Sequence, residues 1–211
     1  MCTCGRRQET RELTAPTQAD LDGNLLLGKL TAADRTRLVP HMMVVHKDAG
    51  ETIHQAGEDV VETWFPCGSA MAAFCVTTNG GADAVEVALV GREGAIGGIV
   101  SNGRLPAYAT AQVRFSGRFL RIKTAALELA KTESLPLRHW FARYSDCLLA
   151  QVFQTAACNA THTISQRTAK WLLAASARTA GNEFELTQQQ LSDMLGVGRT
   201  FVTRRPVQRL R

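Results

Sequence analysis

The chain has 211 residues, 45% hydrophobic, 20% charged and 6% aromatic, with a formal net charge of +5. That apolar content excludes a wholly disordered chain, and no run reaches the roughly 18 uncharged apolar residues of a membrane span. The N-terminus carries Arg6 and Arg7 but no apolar core after them, which argues against a secretory signal and predicts a cytoplasmic protein.

Residues 1–20 are polar, contain Pro16 and read as a flexible tail. Leu25, Leu26, Leu27 and Leu30 then form a short helical apolar face, and Thr31 is a suitable N-cap for a second short helix over 32–39. From His41 to Thr124 the texture changes. The runs MMVVHK, ETIHQ, VETWFP, AMAAFCVTT, AVEVALV, ATAQVRFSG and RFLRIK are separated by Gly, Asn and Asp. Short strands with turn signals every 8–12 residues or so indicate a compact β barrel or roll. Asn79-Gly80 is the strongest hairpin signal.

After Lys123 the strand pattern stops. Residues 124–131 are helix-prone, and Ser134 with Pro136 marks a new helix start. A long stripe follows at three- and four-residue steps: Leu137, Trp140, Phe141, Tyr144, Cys147, Leu148, Val152 and Thr155. As heptads, Leu137, Tyr144 and Gln151 share one seam position, and Trp140, Cys147 and Gln154 the other. The stripe is wider than a two-stranded seam requires, so one edge can pack on the β domain and the other on a twin helix. A dimer helix is favoured over a purely intramolecular one. Residues 164–177 continue as helix with Trp171, Leu172 and Ala175 facing a core, ended by Gly181-Asn182.

The last sixteen residues, GVGRTFVTRRPVQRLR, hold five Arg and no Asp or Glu, so the rest of the chain is electrically balanced. Charge alone allows either a nucleic-acid contact or a solvated terminus. Just upstream, Thr187 and Gln190 are spaced as a capping box, with Leu186 and Leu191 as a hydrophobic staple. Leu191, Met194 and Leu195 form the inner side of this helix, and Gly196 ends it. A second helix begins near Gly198 with Val202 turned inward. This is a helix-turn-helix pattern. On the second helix, Arg199, Thr200, Thr203 and Arg204 share one outward face suited to a major groove. Arg can donate two hydrogen bonds to guanine, and Thr can touch a thymine methyl or a phosphate. Thr187 and Gln188 can hold phosphates through their backbone N–H groups. An ordinary helical hairpin is the plainer alternative.

The order β roll, long helix, helix-turn-helix resembles the Crp/Fnr family of bacterial transcription regulators over about residues 25–211. Gly50-Glu51-Thr52-Ile53-His54-Gln55-Ala56-Gly57-Glu58 is similar to the family's early roll signature. Gly91-Arg92-Glu93-Gly94-Ala95-Ile96-Gly97 is similar to the opening of its phosphate-binding cassette. Arg167-Thr168-Ala169-Lys170-Trp171-Leu172-Leu173 resembles the helix that opens its DNA-binding domain, and 186–204 its helix-turn-helix. The resemblance implies an α+β chain with an N-terminal double-stranded β-helix (β roll), a long dimerisation helix and a C-terminal helix-turn-helix. It divides the chain into a tail (1–20), a cyclic-nucleotide-binding-like sensory domain (21–131), a dimerisation helix (132–160) and a DNA-binding domain (161–211). It further implies a homodimer on double-stranded DNA with a two-fold symmetric operator, a small-molecule effector, RNA polymerase as a partner, and no enzymatic activity, cofactor or membrane.

The departures from the family pattern carry information. Gly98 and Ala107 stand where cyclic-AMP-binding members carry a Glu for the ribose and an Arg for the phosphate. Val152 and Phe153 stand where the base would be met, and neither side chain has a hydrogen-bonding group. Gly94, Gly97 and Gly98 could form a backbone anion nest or simply a turn. Arg205-Pro206 falls where inward apolar residues are expected, and the chain stops at Arg211, so the winged helix is read as truncated. A dimeric small-molecule or redox sensor that no longer grips DNA is the alternative.

Other chemistry is weaker. Cys2, Cys4, Cys67, Cys75, Cys147 and Cys158 are scattered and read as reduced thiols. A cubane cluster would need Cys67 and Cys75 alongside Cys2 and Cys4. His41, His46 and His54, the last with Glu58, lack the His-x-His pair of a β-barrel metal enzyme. No metal site and no catalytic constellation is assigned. Cyclic AMP is expected not to be the effector, since a phosphate anion here lacks its Arg partner. Isothermal titration is expected to show no micromolar binding of cyclic AMP, and such binding would overturn this expectation.

Overall fold

The computed structural model describes residues 14–78, 83–99 and 106–179, together with residue 191. The first helix, α1 (Gln18–Asp22), starts on a capping box in which the Thr17 hydroxyl accepts from the Asp20 N–H and the Asp20 carboxylate accepts from the Thr17 N–H. Thr14 bridges Val44. The stretch 14–20, expected to be tail, is therefore tied down, because the Thr17 cap satisfies helix-start donors locally and Leu21 is buried in the core. α2 (Leu25–Gly28) and α3 (Ala32–Leu38) follow. Thr31 caps α3 through the Asp34 N–H, as expected. A 3-10 turn (Val39–His41) leads into the roll.

Seven strands make two antiparallel sheets: β1 (Met42–Lys47), β2 (Thr52–His54), β3 (Glu62–Pro66), β4 (Met71–Thr78), β5 (Asp83–Val90), β6 (Thr110–Phe115) and β7 (Gly117–Lys123). Each coincides with one of the apolar runs in the sequence. The smaller sheet has the order β1-β7-β3, the larger β2-β6-β4-β5. Val44 and Phe65 both pair with Leu120. The Asn79-Gly80 turn between β4 and β5 lies outside the described residues, but β4 and β5 pair directly.

Because side chains alternate across a strand, each sheet serves two cores. From the small sheet, Val45, Trp64 and Phe119 point into the roll, where they meet Ala72, Val90, Ala111 and Val113 of the large sheet. On the other face, Met42, Phe65, Leu120 and Ile122 pack against the helices. Those helices are α1 to α3, then α4 (Thr124–Glu133) and α5 (Leu135–Thr161). Ser134 caps α5 at the Leu137 N–H, and Leu137, Phe141 and Tyr144 are buried against the roll. The outer face of the large sheet carries Met71, Ala73, Cys75 and Leu89, which pack on Trp171 and Ala175 of α6 (Ile164–Arg178). α6 ends at Arg178 with Thr179 as C-cap. The expected stop at Gly181-Asn182 lies outside the described residues.

The fully buried Asn24 ties the helical layer to the roll. Its side-chain oxygen accepts from the N–H groups of Leu26 and Leu27, and its amide donates to the carbonyls of Pro66 (2.8 Å) and Gly94 (2.9 Å). Replacing it removes a cap and strands two buried carbonyls. Asn24→Ala is expected to destabilise the fold by about 2–4 kcal/mol in urea unfolding, with Asn24→Asp also destabilising because it cannot donate. A change below about 0.5 kcal/mol would mean that these bonds carry no net stability.

Candidate functional site

The roll, the long helix and the start of the C-terminal region meet at one junction. On the large sheet, Glu86 of β5 is only 8% exposed. One carboxylate oxygen accepts from Arg114 of β6 at 3.1 Å, and the other accepts from the Trp171 indole N–H of α6 at 2.6 Å. Arg114 also donates to the Cys75 sulfur (3.0 Å) and to Gln112 (2.8 Å). Phe115 lies edge-on to Trp171, with ring centroids 6.4 Å apart. Burial pushes the Glu86 carboxyl up to about 7, against the pull of Arg114 and the Trp171 hydrogen bond. Burial likewise raises the Cys75 thiol.

A second tie is the loop 91–94. Glu93 pairs with Arg178 at the end of α6 (2.9 Å), and Arg178 also donates to Gln151 of α5 (3.0 Å). The Leu25 N–H donates to the Arg92 carbonyl (2.6 Å). A Cβ at Gly91 would collide with Arg178, and one at Gly94 with the Tyr144 hydroxyl and Val90. These two glycines of the cassette-like signature are explained by close packing of a loop on two helices. Tyr144 itself donates to the Ala95 carbonyl (3.1 Å).

The cassette positions proper are also occupied by packing. Gly98 sits at φ +38 with the Thr124 side chain where a Cβ would be, and at Gly97 the Glu62 carbonyl takes that place. Ala107 is buried and exchanges backbone hydrogen bonds with Gly57 and Glu58. The intervening 100–105 lie outside the described residues.

The long helix turns a different face to its own subunit than the heptad pattern suggests. Leu137 and Tyr144 are buried in the core, Trp140 donates to the Leu26 carbonyl (3.1 Å), and Gln151 donates to the Leu89 carbonyl (3.2 Å). Gln154 donates to the Cys158 sulfur (3.3 Å). Of the expected seam Cys147 and Gln154 are exposed. The physical reason is that the apolar stripe is satisfied by the roll. The exposed large apolar residues of α5 are instead Leu135 in its first turn, Leu149 (51% exposed) and Phe153 (65% exposed). Val152, which with Phe153 stands on the long helix where the resemblance implies a base contact, is half-buried.

Cys67 and Cys75 belong to separate cores, and burial raises the Cys67 thiol to about 12. His46 lies beside Asp48 (3.4 Å), and His54 lies against Phe74. Among the described residues, no three His, Cys, Asp or Glu side chains converge as metal ligands. No helix among them is long and apolar enough to cross a membrane. Thr187, Gln188, Arg199, Thr200, Thr203 and Arg204 lie outside the described residues, as do Cys2 and Cys4. From that region only Leu191 is placed. It is helical and buried in the core that holds Trp171, Ala175 and Leu89.

The sequence reading missed Glu86, Arg114 and the Glu93–Arg178 pair. A usable signal existed: one carboxylate inside AVEVALV and one guanidinium inside ATAQVRFSG, both within otherwise apolar strands.

No family model matches the chain, and no curated protein sequence matches it. Solved structures do. FixK2 from Bradyrhizobium japonicum is similar at 16% identity over 77% of this chain and 81% of its own, with a TM-score of 0.65. CLP from Xanthomonas campestris, a c-di-GMP-responsive global regulator, is similar at 13% identity over 82% and 89%, with a TM-score of 0.65. A Crp/Fnr-family transcriptional regulator from Eubacterium rectale is similar at 14% identity over 87% and 85%, with a TM-score of 0.65. The chain therefore has the α+β fold of Crp/Fnr regulators, with a cyclic-nucleotide-binding-like roll.

The Glu86 junction has a pH signature. The unfolded carboxyl, ordinarily near 4.5, releases its proton before the folded one near 7, so between those values the unfolded state binds fewer protons. This group's contribution to stability is full below about 4.5 and falls as pH rises through 7. Glu86→Gln keeps an acceptor for Trp171 and removes the titration. The melting temperature of the wild type is expected to fall relative to Glu86→Gln from pH 5 to pH 7.5, and parallel curves would exclude this contribution.

Proposed function

We propose that the chain is a homodimeric, DNA-binding transcription regulator of the Crp/Fnr type. The observation that carries this is the outer face of α5. Ala142, Asp146, Leu149, Phe153, Ala156 and Ala160 recur at alternating four- and three-residue steps, and from Asp146 onward all are exposed. That period is a coiled-coil seam, and it lies off the face already used by the roll. An exposed apolar stripe on the longest helix is best explained by a second copy laid against it, since exposed Leu and Phe in series mark an interaction surface. The fold shared with Crp/Fnr regulators and the basic C-terminal residues agree with this.

In this reading residues 21–131 sense, 132–160 dimerise and 161–211 bind DNA. Arg199, Thr200, Thr203 and Arg204 are proposed to contact bases or phosphates, and Thr187 and Gln188 to hold phosphates through their N–H groups. RNA polymerase is the partner that a regulator at a promoter would meet. Leu191 supports the assignment of the first helix, because this one residue of the expected inward side is buried with Trp171 and Ala175. Cyclic AMP is not proposed as effector: the cassette positions Gly98 and Ala107 offer no side-chain partner for a phosphate.

The test combines sedimentation with gel shifts on DNA from upstream of the chain's own gene, run across salt concentrations. The wild type is expected to sediment as a dimer and retain this DNA with a steep salt dependence. Phe153→Glu is expected to give monomers and to lose retention. Arg204→Ala is expected to keep the dimer while losing about 1–3 kcal/mol of specific binding. A monomeric wild type that ignores DNA at low salt would end this proposal.

A further inference from the structure

A cleft of about 260 Å³ opens between β5, α5 and α6, at the junction rather than inside the roll. One wall is apolar, made by Leu89 of β5 and Trp171 of α6. The rest is polar and cationic: three basic side chains line it (Arg167, Lys170 and Arg178) against a single carboxylate, Glu86.

Glu86 and Arg178 are held by named partners, and Arg167 is engaged as well. Both oxygens of Glu86 are engaged, one by Arg114 and one by Trp171. Arg178 is held by Glu93 and Gln151. Lys170 differs. Its ammonium approaches the Thr155 hydroxyl at 3.4 Å and the Cys158 sulfur, and among the described residues it forms no ion pair with a carboxylate. A three-proton cation without a carboxylate partner inside a partly enclosed cleft is a place where an anion gains charge-assisted bonds. Arg167, one turn earlier on the same helix, adds a guanidinium to the same lining. A concave site with an apolar wall and a few convergent charged groups is the usual form of a small-molecule site.

We propose that this cleft binds a small organic anion, with its charged group on Lys170 and Arg167 and its apolar body against Leu89 and Trp171. The walls come from three elements that hold the roll, the long helix and the C-terminal region together. A ligand seated there would favour one relative pose of these elements over others. That consequence rests on the regulator proposal above, whereas the binding itself does not.

The probe is 8-anilinonaphthalene-1-sulfonate, an aromatic anion, with uncharged N-phenyl-1-naphthylamine as its comparison. The sulfonate is expected to bind the full-length wild type with enhanced fluorescence, and benzoate but not benzyl alcohol is expected to displace it. The double variant Arg167→Gln, Lys170→Gln is expected to bind the sulfonate about tenfold more weakly, with affinity for the neutral dye unchanged. Arg143→Gln, in a neighbouring cleft beside Trp140, is expected to leave sulfonate binding unaltered. Equal displacement by benzoate and benzyl alcohol would overturn the assignment, and because that arm uses only wild type it does not depend on the variants folding. So would an unchanged sulfonate affinity in the double variant, or equal weakening of both dyes. No DNA enters these measurements, so their failure leaves the regulator proposal standing, and a negative gel shift leaves the cleft standing.

Discussion

The seating of α6 on the roll depends on one buried carboxylate. Glu86 has left water, and the Arg114 guanidinium and the Trp171 indole N–H each engage one of its oxygens. A charge in such a place adds little net stability, because desolvation offsets most of the attraction. Its effect is on geometry. Removing either partner would strand a charge, so the arrangement in which Trp171 reaches Glu86 is favoured over slid or rotated seatings of α6. Leu191 packs into the same apolar cluster.

The loop 91–94 acts at the other end of α6. Gly91 and Gly94 let its backbone approach Arg178 and Tyr144 more closely than any side chain would permit, and Glu93 pairs with Arg178. The roll thus reaches α5 and α6 through this loop. Nearby, the Thr124 side chain lies against Gly98, and Ala107 is locked into backbone pairing.

The apolar surface of α5 is divided between two faces. Leu137, Phe141 and Tyr144 satisfy the roll and stabilise the fold by burial, and Leu149 and Phe153 remain outside. Under the proposal above, a second copy would cover the outer face, which a helix with all its apolar residues on one side could not offer.

Local signals in the sequence determined the strands, the helix starts and their order. Thr31 and Ser134 cap because a side-chain oxygen two or three residues before an N–H needs no distant partner, and the apolar runs become strands because turn residues bound them. Which core each strand face serves, which stripe of α5 the roll covers, and which charges meet were decided by the tertiary structure. Glu86, Arg114 and Trp171 are far apart along the chain, and two alternative stripes on α5 fit the same heptad spacing. Only the packing of the sheet against the helices brings those three side chains within hydrogen-bonding distance and leaves Phe153 in water.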